Sequence, residues 1–94
     1  MRPEGYTIKI AARLCGMHAQ SLRLYERRGL IRPQRSAGNV RRYSDDDIAQ
    51  VRFIRRLIDD LGVNLAGVEV ILTLRHQLLA TQRELERLRD GPSG

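Results

Sequence analysis

The chain is short of most features that mark a catalytic, secreted or membrane protein. It has one cysteine, Cys15, so no internal disulfide can form and a reducing cytoplasm is the expected setting. Tryptophan is absent and phenylalanine occurs once, which leaves the core to aliphatic side chains and three tyrosines. No apolar run approaches the roughly 20 residues a membrane span needs, and the N-terminus lacks the charged-then-apolar pattern of a signal peptide. There is no glycine-rich phosphate loop, no nucleophile elbow and no acid pair outside the helix caps, so neither an enzyme nor a cofactor is expected. Cys15 and His76 form no metal-ligand spacing. Cys15 falls on an apolar stripe, which makes it a buried small residue rather than a sensor thiol. Lysine is nearly missing too: all but one of the seventeen cations are arginine, whose planar fork suits phosphates and guanine edges.

Charge is what the chain has, and it is unevenly spread. Ninety-four residues suffice for one modest core and leave no room for a separate ligand-binding domain. Residues 1–43 carry a net +8 and residues 44–94 a net −2. A basic front and a mildly acidic back predict one face for a polyanion and another for something else.

Residues 1–5 are expected to fray, with Pro3 and Gly5 opposing regular structure. Thr7 can cap a first helix whose apolar positions, Ile8, Ala11, Ala12 and Cys15, follow helical spacing. Gly16 permits a sharp turn, and a second helix follows from about Ala19 to Arg28, ending at Gly29. On that helix Gln20, Arg23, Leu24 and Arg27 share one face, while Leu22 points to the core. This is helix-turn-helix spacing. Leu30-Ile31-Arg32 and Val40 to Tyr43 are β-prone and flank Ala37-Gly38-Asn39, which predicts a small hairpin or wing. Two strands are marginal alone, so Tyr43 is expected to anchor the wing and leave Arg35, Arg41 and Arg42 free to reach outward.

Ser44 followed by Asp45, Asp46 and Asp47 is a helix start, with a hydroxyl cap and negative charge at the positive dipole end. That helix should bury Ile48, Val51, Ile54, Ile58 and Leu61 and stop at Gly62. Asn64 can cap a further helix with Leu65, Val68, Ile71 and Leu72 inward. From Ile71 a heptad runs: Ile71, Leu78 and Leu85 in one seam position, Leu74, Thr81 and Leu88 in the other. The pattern fits one helix or two over residues 65–89. A lone amphipathic helix is unstable, so the stripe folds back or pairs with a second chain, and pairing fits its extent better. Asp90 to Gly94 reads as a terminal tail.

Taken together, Ile8, Ala12, Gly16-Met17, then Leu22-Arg23-Leu24-Tyr25-Glu26-Arg27, Gly29-Leu30-Ile31 and Arg41-Arg42-Tyr43-Ser44 resemble the MerR family of transcription regulators over about residues 6–75. Gly16-Met17-His18, Arg41-Arg42-Tyr43-Ser44 and residues 62–67 are most similar to its heat-shock repressor branch, HspR. The resemblance implies a mainly α, winged helix-turn-helix fold with a small β-hairpin wing and a C-terminal dimerisation helix in an antiparallel coiled coil. It implies repression of chaperone genes from inverted repeats, with an Hsp70-type chaperone as co-repressor. By matched position, Gln20, Arg23 and Tyr25 would touch DNA from the helix, and Arg35 and Arg41 from the wing. Leu24 and Val40 stand where many members carry aromatic residues.

Most arginines position a protein on the phosphates, so the base-reading candidates are Gln20 and Ser21, with His18 behind them or simply capping the helix. Arg23 is a phosphate or guanine contact, against the plainer alternative of an exposed charge paired with Glu26. The expected organisation is a DNA-binding domain over residues 1–74 and a coiled-coil dimerisation helix and tail over 75–94, and the expected dimerisation residues are Ile71, Leu74, Leu78, Leu85 and Leu88. The expected function is a homodimeric repressor on double-stranded DNA, at the bacterial nucleoid. The alternatives are an excisionase-like architectural DNA binder and an adaptor whose arginine surface meets acidic proteins.

Overall fold

In a computed structural model that describes residues 5–91, the first helix begins where a hydroxyl can start it. Thr7 is extended and its side chain accepts from the Ile10 N–H, opening α1 (Ile8–Cys15), which buries Ala11, Ala12 and Cys15. At its end Gly16 takes φ 66°, and the Met17 and Gly16 N–H groups return to the carbonyls of Ala12 and Arg13. The same closure ends α2 (Ala19–Arg27): Gly29 takes φ 76°, Leu30 N–H returns to Tyr25 and Gly29 N–H to Glu26. Both are the glycine-dependent C-terminal caps that satisfy a helix's last carbonyls.

The wing is shifted from its expected position. The strands are β1 (Gln34–Arg35) and β2 (Arg41–Arg42), antiparallel, with Gln34 opposite Arg42 and Arg35 opposite Arg41. Leu30 and Ile31, expected in the first strand, are instead buried core residues. The Leu30 N–H closes α2, and its carbonyl accepts from Gln50 Nε2 at 2.7 Å, so neither serves a ladder. Pro33, without an N–H, stands just before the pairing that does form. The turn closes from Asn39 N–H to the Ser36 carbonyl at 2.9 Å, with Asn39 at φ 63°, a conformation asparagine tolerates.

Tyr43 anchors the wing as expected: it is fully buried and exchanges two backbone hydrogen bonds of 2.8 Å with Tyr6. Gly5 is part of this contact rather than a frayed end. At φ 81°, a Cβ there would lie 2.5 Å from the Tyr43 carbonyl oxygen. Residues 1–4 and 92–94, which include Pro3 and most of the expected tail, lie outside the described residues.

Ser44 caps α3 (Asp45–Arg55) reciprocally, its hydroxyl accepting from the Asp47 N–H at 3.0 Å and its own N–H donating to the Asp47 carboxylate at 2.9 Å. The helix widens into a π-helical turn over Arg56–Asp60, where the Leu61 N–H returns to the Arg56 carbonyl. The wider turn changes the phase of the stripe. Leu57 is buried with Ile48, Val51 and Ile54, and Leu61, expected inside, is 70 % exposed.

The chain divides into two units, one ending at Gly62 and the other starting at Val63. The second unit is one continuous helix, α4 (Leu65–Arg89), capped by the Asn64 side chain accepting from the Gly67 N–H at 2.7 Å. Its 25 residues span about 37 Å. Val68 is buried, Leu65, Ile71 and Leu72 are half-buried, and Leu74, Leu78, Leu85 and Leu88 are exposed. Among the described residues no helix is long and apolar enough to cross a membrane, and no His/Cys/Asp/Glu group is placed to hold a metal ion.

Candidate nucleic-acid interface

The two faces of α2 have opposite characters. Leu22 and Tyr25 turn into the core, and Gln20, Ser21, Arg23, Leu24 and Arg27 line an open groove of about 460 Å³ on the other side. Gln20, Arg23 and Arg27 are exposed and Ser21 is half-buried. His18 has the extended backbone of a helix N-cap, but its side chain makes no cap hydrogen bond and is exposed. The Ser21 and Leu22 N–H groups donate to the His18 carbonyl, the ordinary first bonds of the helix. The exposed imidazole thus stands at the start of the helix without a capping role.

Tyr25 is placed differently from its neighbours. It is 8 % exposed, and burial pushes its hydroxyl above the ordinary value, with Asp59 adding to the shift and Arg55 opposing it. Its ring serves the core, so any DNA contact falls to its rim.

The wing stands beside α2, tied to it by one carboxylate. Glu26 Oε1 lies 2.6 Å from Arg41 Nε, an ion pair by distance whose N–H is not aligned for a hydrogen bond. It also accepts from the Tyr43 hydroxyl at 3.5 Å. Burial and the Glu26 carboxylate push the Tyr43 hydroxyl up, while Arg41 and Arg23 pull the other way. Arg41 is thus engaged, contrary to the expectation that all three wing arginines reach outward, and Glu26 pairs across to the wing rather than along its own helix to Arg23. Arg35 is exposed, its Nη1 donating to the Asn39 carbonyl at 3.3 Å, and Arg42 is half-buried.

Sequence reasoning missed the parts that hold this surface from behind. Arg55 in α3 donates to the carbonyls of Cys15 and Gly16, and Arg52 to that of Leu14. Gln50 does the same for Leu30. These side chains lie 20 to 40 residues from their acceptors, and no local pattern marks them. Cys15 is buried beside the two arginines. Burial pushes its thiol up and Arg52 and Arg55 only partly offset this, so it is a packing residue.

Residues 6–74 match the model of the MerR HTH family regulatory proteins. A Streptomyces coelicolor protein bearing the name heat shock protein HspR is 46 % identical over 89 residues, 92 % of this chain and 59 % of that protein. The HTH-type transcriptional regulator MlrA of Salmonella typhimurium is 44 % identical over 69 residues, 72 % of this chain and 28 % of its own. A mercuric resistance operon regulatory protein of Shigella flexneri is 33 % identical over 72 residues, covering 76 % of this chain and 49 % of that one. The chain therefore spans between about a quarter and three-fifths of the length of these relatives.

Proposed function

This chain belongs to the MerR family of helix-turn-helix regulatory proteins, and we propose that it is a dimeric, sequence-specific DNA-binding repressor that occupies an inverted repeat. The observation that carries the reading is the exposed face of α2, where Gln20, Arg23, Leu24 and Arg27 surround an open groove beside an arginine-bearing wing. A helix of this width fits the major groove of duplex DNA. Arg23 and the wing residues Arg35 and Arg42 meet phosphates, while Gln20 and Ser21, with His18 at the helix start, read base edges. Tyr25 and Arg41 support these contacts. The DNA-binding region is taken as residues 1–74, and residues 75–94 extend the helix that joins two copies.

Dimerisation follows from the stripe on α4, where Leu74, Leu78, Leu85 and Leu88 are each more than half exposed in the single chain. Two such stripes cover one another in a coiled coil, and the pair's two-fold symmetry selects an operator with the same symmetry. This stripe also favours a repressor over an architectural binder that acts as a monomer. Control of heat-shock genes, with an Hsp70-type chaperone as co-repressor, is the proposed role, supported by the likeness to the HspR protein.

Selection of bound duplexes from random DNA tests the reading. An inverted repeat is expected, with affinity falling by about 0.9 log units per log unit of salt for each neutralised phosphate. Binding that is flat in salt, or a selected site without symmetry, excludes it. The chaperone role predicts tighter operator binding when an Hsp70-type protein is added.

A further inference from the structure

Between residues 5 and 43 the chain has one carboxylate, Glu26, and it sits on the helix that carries Arg23 and Arg27. A negative charge in that position repels phosphate and lowers affinity unless it does something else. Its surroundings show what that is. The Glu26 side chain is 22 % exposed and pairs with Arg41, 37 % exposed, while also accepting from Tyr43. Arg41 and Tyr43 are two apart in β2 and its continuation, so they project from the same face, with Arg42 on the other. Glu26 therefore grips the wing at two points and leaves Arg42 out of the grip.

The strand register adds a second reason. Arg41 is directly opposite Arg35, and like charges across a two-stranded ladder oppose pairing. In a hairpin with only two residues per strand, little else compensates on that face. Glu26 supplies the missing negative charge from the neighbouring helix.

We infer that Glu26 is a positioning residue that locks the wing onto α2 through Arg41 and Tyr43, and so fixes the spacing between the α2 groove and the exposed Arg35 of the wing. Arg41 then serves the geometry of the site and does not neutralise a phosphate itself. The inference rests on the DNA-binding reading above for its consequence, but the lock can be measured without DNA.

The test compares Glu26→Ala, Glu26→Gln, Arg41→Ala and the Glu26→Ala/Arg41→Ala double variant in the full chain. Without DNA, amide exchange at Ser36, whose N–H donates to the Val40 carbonyl at 2.8 Å, reports on the wing. Glu26→Ala should speed it about tenfold while the amides of α1 and α3 keep their protection, and Glu26→Gln, which retains an acceptor, should recover part of it. On the selected duplex, Glu26→Ala should weaken binding about fivefold despite removing a negative charge, and the double variant should be no worse than the weaker single. Arg41→Ala should weaken binding with an unchanged salt slope. Unaltered exchange at Ser36, or tighter binding by Glu26→Ala, overturns the inference. So does a slope about 0.9 smaller for Arg41→Ala, which would put that guanidinium on a phosphate. Should Glu26→Ala not fold, Arg41→Ala alone decides by its exchange and slope. If the unaltered chain binds no duplex, the DNA-binding reading fails, and exchange at Ser36 still judges the lock.

Discussion

Arg55 of α3 donates from Nη1 to the Gly16 carbonyl at 2.8 Å, across 39 residues of chain. The same nitrogen reaches the Cys15 carbonyl at 2.7 Å, and Nε and Nη2 are held by the Asp59 carboxylate at 3.2 and 3.0 Å. Carbonyls at the end of α1, where the helix dipole is negative, are thus closed by a cation from the core helix. Gly16 opens the turn between α1 and α2, so this clamp ties the start of that turn to α3.

Removing the clamp has a definite expected result. Arg55→Ala takes the side-chain donor from the Cys15 and Gly16 carbonyls and should cost about 1–3 kcal/mol of stability, read as a lower urea midpoint. Arg55→Lys keeps the charge without the fork and should recover only part of the loss.

Gly5 offers a test of the N-terminal seam. Gly5→Ala places a methyl group 2.5 Å from the Tyr43 carbonyl oxygen at a backbone angle that disfavours a side chain. It should destabilise the chain by about 1–3 kcal/mol, with faster amide exchange at Tyr6 and Tyr43. An unchanged melting curve would show that the seam does not contribute.

Arg23 and Gln20 should separate affinity from specificity. Arg23→Ala is expected to weaken binding to every duplex and lower the salt slope by about one. Gln20→Ala should instead change the preference among sequences, by about 1–3 kcal/mol at one base pair. Equal affinity of Arg23→Ala and the unaltered chain for the selected site excludes the proposed docking.

Leu78 and Leu85 should decide the assembly state. Replacing both with Glu puts charges into the seam of the α4 stripe and is expected to give monomers in sedimentation, with duplex binding greatly reduced. Intact dimers would exclude that seam.

Three buried acids predict alkaline sensitivity. Burial holds Cys15 above the ordinary thiol value of 9.0, and Tyr25 and Tyr43 above the ordinary 10.0. The unfolded chain gives up these protons first, so their stabilising contribution is whole below pH 9.0 and is lost as pH rises through the folded-state values. Urea midpoints measured at rising pH should fall first with Cys15, and Cys15→Ala should flatten that first portion.

The features legible in the sequence are those decided within one or two helical turns. Thr7, Ser44 and Asn64 cap their helices because each side chain meets an N–H three residues on. Gly16 and Gly29 end theirs because a positive φ is needed there. The polar face of α2 was readable because helical spacing alone gathers Gln20, Arg23 and Arg27.

Tertiary structure alone decided the rest, because those outcomes depend on residues distant in the chain. The apolar, β-prone Leu30 and Ile31 could have paired in the wing, but they pack in the core, and Gln50 takes the Leu30 carbonyl. The stripe of α3 could have ended on Leu61, but Leu57 is buried and Leu61, after a π-helical turn, is left exposed. Arg41 looks like its neighbours in sequence, and only the approach of Glu26 from another element holds it. Short-range geometry thus determined the elements and their polar faces, whereas competition for partners across the fold determined which arginines remain available to a ligand.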